Sequence, residues 1–125
     1  LFSASAPETL LGLHLHARKR VDRLSGGVRK RLSIACALAG DPPGLLLDEP
    51  FTALDLQTKT DILALLSDLK QRRKGLLFTS HDPSAVAAAA DRVLLLRDGA
   101  ISGEIRLAGE QEDRIAQVIA LLSQT

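Results

Sequence analysis

Three short segments of the chain place polar side chains where they could act on a phosphate-bearing ligand. In the first segment, Ser25 is followed by Gly26 and Gly27 at the start of a predicted helix. A helix N-terminus offers free N–H groups and a positive dipole end, and glycines allow a phosphate to approach the backbone closely. The Ser25 hydroxyl adds a further donor. In a simpler alternative, Ser25 is only an N-cap and the glycines form a turn.

The basic residues that follow, Arg29, Lys30 and Arg31, bear on this choice. Cations in the first turns of a helix oppose its dipole by roughly a few tenths of a kcal/mol each. A bound polyanion would relieve that repulsion, and so would side chains that splay into solvent.

The second segment places two adjacent carboxylates, Asp48 and Glu49, directly after an apolar run at 45–47. Open α/β folds bind ligands at the carboxyl edge of their parallel strands. As a hard oxygen ligand, Asp48 is suited to hold Mg²⁺ directly or through water, and Glu49 could orient and polarise an attacking water. The alternative is an acidic pair that caps the next helix.

The third segment contains His81 and follows the next predicted parallel strand. Its position predicts that His81 lies at the same sheet edge as Asp48 and Glu49, where an imidazole could hydrogen-bond a terminal phosphate. A lone histidine in a loop is otherwise structural or incidental. His14 and His16 have no Cys, His or Asp ligand set around them, so no metal site is predicted there.

Apolar spacing predicts the elements that must position these segments, and their order indicates an α/β fold. The strands at 45–47 and 76–79 flank a helix in a parallel β-α-β unit. The predicted elements, in chain order, are a helix that opens at residues 25–27 and ends at Gly40, a strand at 45–47, a helix at 57–73, a strand at 76–79, a helix at 84–90, strands at 93–96 and 101–107 joined by an Asp98-Gly99 turn, and a final helix. Residues 8–23 are weakly helical in pattern.

Three of these helices have an apolar stripe at helical spacing, the pattern of a face turned to the core. In the helix at 57–73 the stripe consists of Ile62, Leu65, Leu66 and Leu69. In the first helix the stripe consists of Val28, Leu32, Ala35 and Ala39, and in the last helix it consists of Ile115, Val118, Ile119 and Leu122. Cys36 lies in an apolar run and is expected to be buried. As the single cysteine, it excludes an internal disulfide.

Composition narrows the class of protein. A chain of 125 residues is enough for one small domain, and a net charge of +1 gives no case for a nucleic acid or an anionic membrane surface. Aromatic residues make up 2% of the chain, too few for base-stacking platforms. No apolar run approaches the ~20 residues that span a bilayer. The N-terminal residues lack a charged n-region and a long apolar stretch, so no signal peptide is expected.

Four segments together resemble the ATP-binding-cassette (ABC) ATPase family in order and spacing, between about residue 21 and residue 105. The segments are Leu24-Ser25-Gly26-Gly27, Asp48-Glu49-Pro50, Ala53-Leu54-Asp55 and His81. Val28 stands where the family commonly has glutamine. The resemblance implies a P-loop-NTPase-type core with a mostly parallel sheet, flanking helices and a C-terminal β-hairpin.

The resemblance also implies a role for each residue. Ser25, Gly26 and Gly27 would contact the γ-phosphate of ATP bound to an opposing subunit, and Asp55, in a segment similar to the family's D-loop, would cross the dimer interface. Asp48 would serve Mg²⁺, Glu49 would be the catalytic base or position the water, and His81 would be the switch histidine.

The implied activity is ATP hydrolysis that powers transport across a membrane, with ATP and Mg²⁺ bound between two head-to-tail ATPase subunits. The implied partners are that second subunit, in a homo- or heterodimer, and a transmembrane permease. Through the permease the protein would lie on the cytoplasmic, inner face of the cell membrane. No nucleic acid partner is implied.

The chain departs from the family in one large respect, because no glycine is followed by lysine and a P-loop is therefore absent. Residues 1–24 are expected to be a remnant of the helical subdomain, and residues 25–125 the C-terminal half of the ATPase domain. We expect a fragment that is inactive alone.

The alternative is a degenerate, non-catalytic subunit that donates its signature motif to a complete partner. Intact Glu49 and His81 favour the fragment, since an idle site has no reason to keep them. A DNA- or translation-associated relative is disfavoured by the charge and the few aromatics.

Overall fold

The computed structural model describes residues 11–124, apart from the side chain of His14. These residues form two compact units, one that ends at Thr79 and one that begins at Ser80. The weak helical pattern predicted for residues 8–23 corresponds to two short 3₁₀ helices, Leu13–His16 and Val21–Arg23. The part of the predictions that falls on residues 1–10 lies outside the described residues. Among the helices described, none is both long enough and apolar enough to cross a bilayer.

The first unit contains the predicted β-α-β arrangement. Its elements are helix α1 (Gly26–Leu38), strand β1 (Gly44–Leu47), helix α2 (Leu56–Gln71) and strand β2 (Gly75–Phe78). The two strands are parallel and in register, with Gly44 opposite Gly75 and Leu47 opposite Phe78. The amide of Thr79 donates to the Leu47 carbonyl at 3.0 Å and extends the pairing beyond β2. The α/β class and the parallel pair are therefore confirmed.

Helix α2 buries the face that its sequence predicts. The side chains of Ile62, Leu65, Leu66 and Leu69 are each at most 5% exposed. The loop after β1 is anchored by Pro50 and Phe51, both buried. The Phe51 ring meets the Phe78 ring edge to face, with centroids 5.6 Å apart at 84°. This aromatic contact fixes the loop that follows β1 against the end of β2.

The predicted core face of α1 is wrong. The buried apolar residues of this helix are Ile34 and Leu38, whereas Leu32 and Ala35 are only half-buried and border an open apolar groove. Cys36 also lines this groove and is exposed, so the expectation of a buried thiol is wrong as well. Two neighbouring faces of α1 have apolar residues at helical spacing, and α2 covers the one that contains Gly27, Arg31, Ile34 and Leu38.

The second unit contains a hairpin between two helices. Its elements are helix α3 (Pro83–Ala89), strands β3 (Arg92–Arg97) and β4 (Ala100–Arg106), and helix α4 (Gln111–Leu122). Strands β3 and β4 are antiparallel, and Arg97 pairs with Ala100 across a two-residue turn. Both turn residues have positive φ, 49° at Asp98 and 79° at Gly99, which is the type I′ geometry that matches strand twist. The hairpin predicted at Asp98-Gly99 is confirmed.

The predicted core face of α4 is wrong by part of a turn. Val118 is buried as expected, but Ile119 and Leu122 are 50% and 41% exposed, and Leu121 is buried in their place. The reason lies in β4, where Gly103 leaves room for a neighbour. A Cβ at Gly103 would lie 2.9 Å from Leu121 Cδ1, so the leucine fills the space that a larger residue would occupy.

Two exposed leucines lie side by side on one face of the β1–β2 pair. Leu46 pairs with Leu77 across the strands, and their side chains are 78% and 60% exposed. A pair of strands with an uncovered apolar face and unpaired edges favours association with other chains.

We predict that the isolated chain self-associates through this face. Light scattering of the purified chain is expected to show oligomers or aggregates, and Leu46→Lys with Leu77→Lys is expected to reduce them strongly, because the added charges resist burial. The matched control is Leu15→Lys with Leu56→Lys, which changes two equally exposed leucines elsewhere and leaves association unchanged. A wild-type chain that melts as a cooperative monomer would contradict the prediction.

Candidate functional site

The carboxylates after β1 are held by a threonine that follows β2. The Thr79 hydroxyl accepts a hydrogen bond from the Glu49 amide at 2.9 Å and donates one to Asp48 Oδ1 at 2.6 Å. Because a hydroxyl can donate and accept at the same time, one side chain fixes both residues. The arrangement lies at the carboxyl end of the parallel pair, where the sequence places the candidate site.

The backbone at Glu49 is itself constrained. Its φ is 47°, in the left-handed region that residues with a Cβ seldom occupy and that costs about 1 kcal/mol or more. The Thr52 hydroxyl donates to Glu49 Oε2 at 2.9 Å, which orients the carboxylate. The adjoining Pro50 and Phe51 are buried and hold the turn. Helix α2 is capped by Asp55, so the alternative of an acidic pair that caps this helix is not observed.

The segment at residues 25–27 opens α1 as predicted, and its glycines differ in their surroundings. Ser25 is the N-cap, and its Oγ accepts from the Val28 amide at 3.3 Å. A Cβ on Gly26 would meet nothing within 4 Å, whereas a Cβ on Gly27 would lie 3.0 Å from Thr58 Oγ1. The amides of both glycines lie in the first turn, where a helix offers them no internal acceptor. The backbone is therefore open to a ligand at Gly26 and packed at Gly27.

Asp55 caps α2 in the same way that Ser25 caps α1. Its Oδ1 accepts from the Thr58 amide at 2.9 Å. Hydrogen bonds from the Thr58 side chain and then from its backbone amide hold the pKa of Asp55 below its ordinary value. The carboxylate is exposed and charged at neutral pH, at the first turn of α2, where the helix dipole favours an anion. The structure thus joins Gly27 and Asp55 through one residue, Thr58.

Two of the three basic residues at the start of α1 are held by intramolecular hydrogen bonds. Arg29 turns back and donates to the carbonyls of Val21 and Asp22, at 3.2 and 3.0 Å. Arg31 reaches α2, where it pairs with Asp61 at 2.8 Å and donates to Thr58 Oγ1 at 2.9 Å. These intramolecular bonds account for the placement of Arg29 and Arg31 at the start of α1.

His81 belongs to the second unit, in the segment that precedes α3. Its side chain is exposed, and its neighbour Asp82 caps α3 by accepting from the Ser84 amide at 2.9 Å. The Ser80 hydroxyl accepts from the Asp82 amide at 3.1 Å. Its placement beside Asp48 and Glu49 remains a prediction from the sequence.

The oxygens at the carboxyl end of β1 suit a hard cation that also binds phosphate. The Asp48 carboxylate is exposed next to Glu49 and the Thr79 hydroxyl. Within residues 11–124, no cluster of three or more His, Cys, Asp or Glu residues could enclose a metal ion. Mg²⁺ is usually held by one or two carboxylates together with waters and the phosphates of a substrate. The residues present therefore fit a magnesium ion that arrives with a nucleotide.

Sequence reasoning missed Thr52, Thr58 and Thr79 as part of the site. A signal existed for Thr79, because it continues β2 by one residue and therefore lies beside the residue that continues β1. For Thr58, the signal was a hydroxyl three residues after an aspartate N-cap. Nothing in the sequence indicates that this hydroxyl would be buried.

Comparison with known proteins finds relatives of this chain. The family model described as "ABC transporter" matches residues 5–52. The chain is 46% identical over 98 residues to the aliphatic sulfonates import ATP-binding protein SsuB of Mycobacterium avium, a match that covers 78% of this chain and 39% of that protein. It is 47% identical over 94 residues to the molybdenum import ATP-binding protein ModC of Methylococcus capsulatus, covering 74% and 26% respectively. The chain thus spans about two fifths or less of the length of these relatives.

Solved structures agree on the fold. The dimeric structure of MJ0796, a bacterial ABC transporter cassette, has a TM-score of 0.73 at 30% identity over 88% of this chain and 51% of that one. The dimeric post-hydrolysis state of MJ0796 bound to ADP and Pi has a TM-score of 0.65 at 37% identity over 71% and 38%. A nucleotide-free ATP-binding cassette shares the fold at a TM-score of 0.79 and 24% identity, over 94% and 46%.

We predict that Thr79→Val lowers the free energy of unfolding by about 1–2 kcal/mol, because it removes the partner of both the Glu49 amide and the Asp48 carboxylate. Thr79→Ser retains the hydroxyl and should cost less. Thr60→Val is the matched control, since the exposed Thr60 hydroxyl donates only to a carbonyl of its own helix. Urea unfolding of the three variants measures the difference, each with Leu46→Lys and Leu77→Lys so that the chain stays dispersed. Equal costs for Thr79→Val and Thr60→Val would contradict the assignment.

Proposed function

This chain belongs to the ABC transporter family of ATP-binding domains, and on that basis we propose that its parent protein hydrolyses ATP to power transport across a membrane. The observation that best supports the proposal is the carboxylate pair at the end of β1, fixed by the Thr79 hydroxyl. Paired acidic residues oriented at the carboxyl edge of parallel strands suit phosphoryl transfer from a nucleotide.

In this proposal the residues after the strands act on the nucleotide of their own subunit. Asp48 helps to hold Mg²⁺, which when bound neutralises charge that develops on the phosphates. Glu49 accepts a proton from the attacking water or orients it, and Thr52 keeps its carboxylate in position. His81 donates a hydrogen bond to the terminal phosphate.

The residues at the two helix starts act on the nucleotide of an opposing subunit. Ser25, Gly26 and Gly27 meet the γ-phosphate, and the open space above Gly26 is where a phosphate oxygen would approach the backbone. Asp55 crosses the interface between the subunits. The dimeric structures of the similar cassette MJ0796 support an assembly of two such domains.

The proposed partners are a second ATPase subunit, identical or different, and a transmembrane permease that holds the pair on the cytoplasmic, inner face of the cell membrane. The relatives named above are import proteins for aliphatic sulfonates and molybdenum. Within the ATPase domain, residues 1–24 correspond to part of the helical subdomain and residues 25–125 to the C-terminal half. That half contains the family's signature motif, with Ser25, Gly26 and Gly27, and its Walker B motif, with Asp48 and Glu49.

The 125 residues lack the lysine and backbone amides that grip the β- and γ-phosphates, because no glycine is followed by lysine. The chain by itself is therefore proposed to be inactive. The second candidate function is a non-catalytic subunit that donates its signature motif to a complete partner. This candidate needs both donated elements to be held together, and the contacts of Thr58 with Gly27 and Asp55 meet that requirement.

We predict that the 125-residue chain neither binds Mg·ATP tightly nor hydrolyses it, since the phosphates lack their main grip. Calorimetric titration of the chain with Mg·ATP measures this directly. A complete cassette subunit titrated in parallel is the positive control. A dissociation constant in the micromolar range for the chain would overturn the claim.

We further predict how the chain behaves when paired with a complete ATPase subunit. Any rescue of phosphate release should be destroyed by Ser25→Arg, because the new side chain fills the space that a phosphate needs. Glu49→Gln should leave the rescue unchanged, because this residue faces the site without a P-loop. Steady-state phosphate release from mixed pairs is the measurement.

Ser33→Arg is the matched control for this experiment, because Ser33 is exposed on the same helix, two turns away from its start. It should leave the rescue intact. Equal sensitivity to Ser25→Arg and Glu49→Gln would refute the proposed division of roles between the subunits.

A further inference from the structure

Thr58 is a buried hydroxyl at the meeting point of two helix starts. Its side chain is 4% exposed, and it is the buried polar residue of the described core. The hydroxyl oxygen accepts from Arg31 Nη2 at 2.9 Å, and both the side chain and the amide of Thr58 hydrogen-bond the Asp55 carboxylate. A buried hydroxyl that donates and accepts at once has one orientation, so the groups on either side of it are fixed relative to each other.

Helix α1 rests directly on this residue. A Cβ at Gly27 would lie 3.0 Å from Thr58 Oγ1 and 3.5 Å from Thr58 Cγ2. Because such distances leave no space for a side chain, Gly27 permits the close approach of α1 to the first turn of α2. The glycine turn that opens α1 and the cap of α2 are therefore in contact through a single side chain.

Arg31 closes the same contact from the other side. Its guanidinium donates to the Leu11 carbonyl at 3.2 Å and to Thr58 Oγ1 at 2.9 Å, and pairs with Asp61 at 2.8 Å. Its side chain is 15% exposed, and that of Asp61 is 26% exposed. The planar fork of arginine can meet several acceptors in fixed directions, which a lysine ammonium cannot reproduce.

We propose that Arg31 and Thr58 are positioning residues that join the turn at residues 25–27 to Asp55, so that the two elements meet a nucleotide on a neighbouring subunit as one rigid body. This use of the link rests on the proposed function, whereas the link itself lies within the first unit. Two contacts made by one preorganised body need no further ordering when the subunits meet.

The first experiment tests the link without a nucleotide or a partner. Hydrogen exchange of the 125-residue chain is followed by mass spectrometry for the parent chain, Thr58→Val and Thr58→Ser, each with Leu46→Lys and Leu77→Lys to limit self-association. Thr58→Val keeps the volume and removes the hydroxyl, and is expected to speed exchange by roughly three- to tenfold at the hydrogen-bonded amides of residues 28–29 and of residues 58–59 together. Thr58→Ser keeps the hydroxyl and should restore slow exchange at both places.

Two further variants separate the link from general loss of stability. Thr60→Val makes the same change on the exposed side of the same helix and should leave exchange at both places unaltered. Arg31→Lys keeps the charge beside Asp61 but loses the fork, and should speed exchange at both places as Thr58→Val does. Exchange at residues 62–71 of α2, in the same unit but away from the helix start, reports whether each variant is folded.

The outcomes decide the proposal in either direction. Joint loosening of residues 28–29 and 58–59 in Thr58→Val and Arg31→Lys, with recovery in Thr58→Ser, supports it. Loosening confined to the start of α2, or loosening as large in Thr60→Val, overturns it. The pKa of Asp55 should rise toward its ordinary value in Thr58→Val and stay low in Thr58→Ser, as measured by carboxyl NMR. An unchanged value in Thr58→Val would also overturn the link.

A second experiment tests the use of the link in mixed pairs with a complete ATPase subunit. Thr58→Val should lower kcat for phosphate release by about tenfold and leave KM for ATP nearly unchanged, because the partner's P-loop sets the binding of ATP. Thr58→Ser should restore kcat. If the wild-type chain rescues no activity, the proposed donor function fails while the exchange pattern still decides the link. If rescue occurs and Thr58→Val retains full kcat, the positioning role is refuted.

Discussion

The in-register parallel pairing of β1 with β2 is the interaction on which the candidate site depends. It places the residue after β2 beside the residue after β1, so that the Thr79 hydroxyl reaches Asp48. A Cβ at Gly44 would lie 3.2 Å from the Gly75 carbonyl oxygen, so glycine at the start of β1 allows the strands to approach there. A slip by one residue would turn each side chain to the other face and separate the threonine from the carboxylate.

The elements that could be predicted are those whose signals are local. Ser25 as an N-cap, the turn at Asp98-Gly99 with positive φ at both residues, and the continuous apolar run at 45–47 each depend on a few neighbouring residues. The same holds for the order of the motifs along the chain, which led to the family before any geometry was known. Signals from neighbouring residues therefore predict where helices and strands begin and end, and where the chain reverses direction.

What could not be predicted depends on contacts between distant elements. In α1, two adjacent faces have helical spacing, and the buried one includes Arg31, a residue that hydrophobicity assigns to the surface. Its guanidinium is largely covered because Thr58, Asp61 and the Leu11 carbonyl accept from its two terminal nitrogens, and none of these acceptors is near it in sequence. Cys36 is exposed for the same reason, because it lies away from the face of α1 that packs against α2. In α4, Leu121 is buried because Gly103 on β4 leaves it space.

The candidate residues after β1 and those at the helix starts are held in the same way, by the hydroxyl of a threonine. Asp48 and Asp55 are both exposed carboxylates, and an ion pair at such a position would be weakened by water. Each is instead hydrogen-bonded by a threonine whose hydroxyl also accepts from another segment: the Glu49 amide at Thr79, and the Arg31 guanidinium at Thr58. A directional hydrogen bond fixes the orientation of a charge while leaving its other oxygen accessible. Exposed carboxylates can thus remain both available to a ligand and fixed in position before one binds.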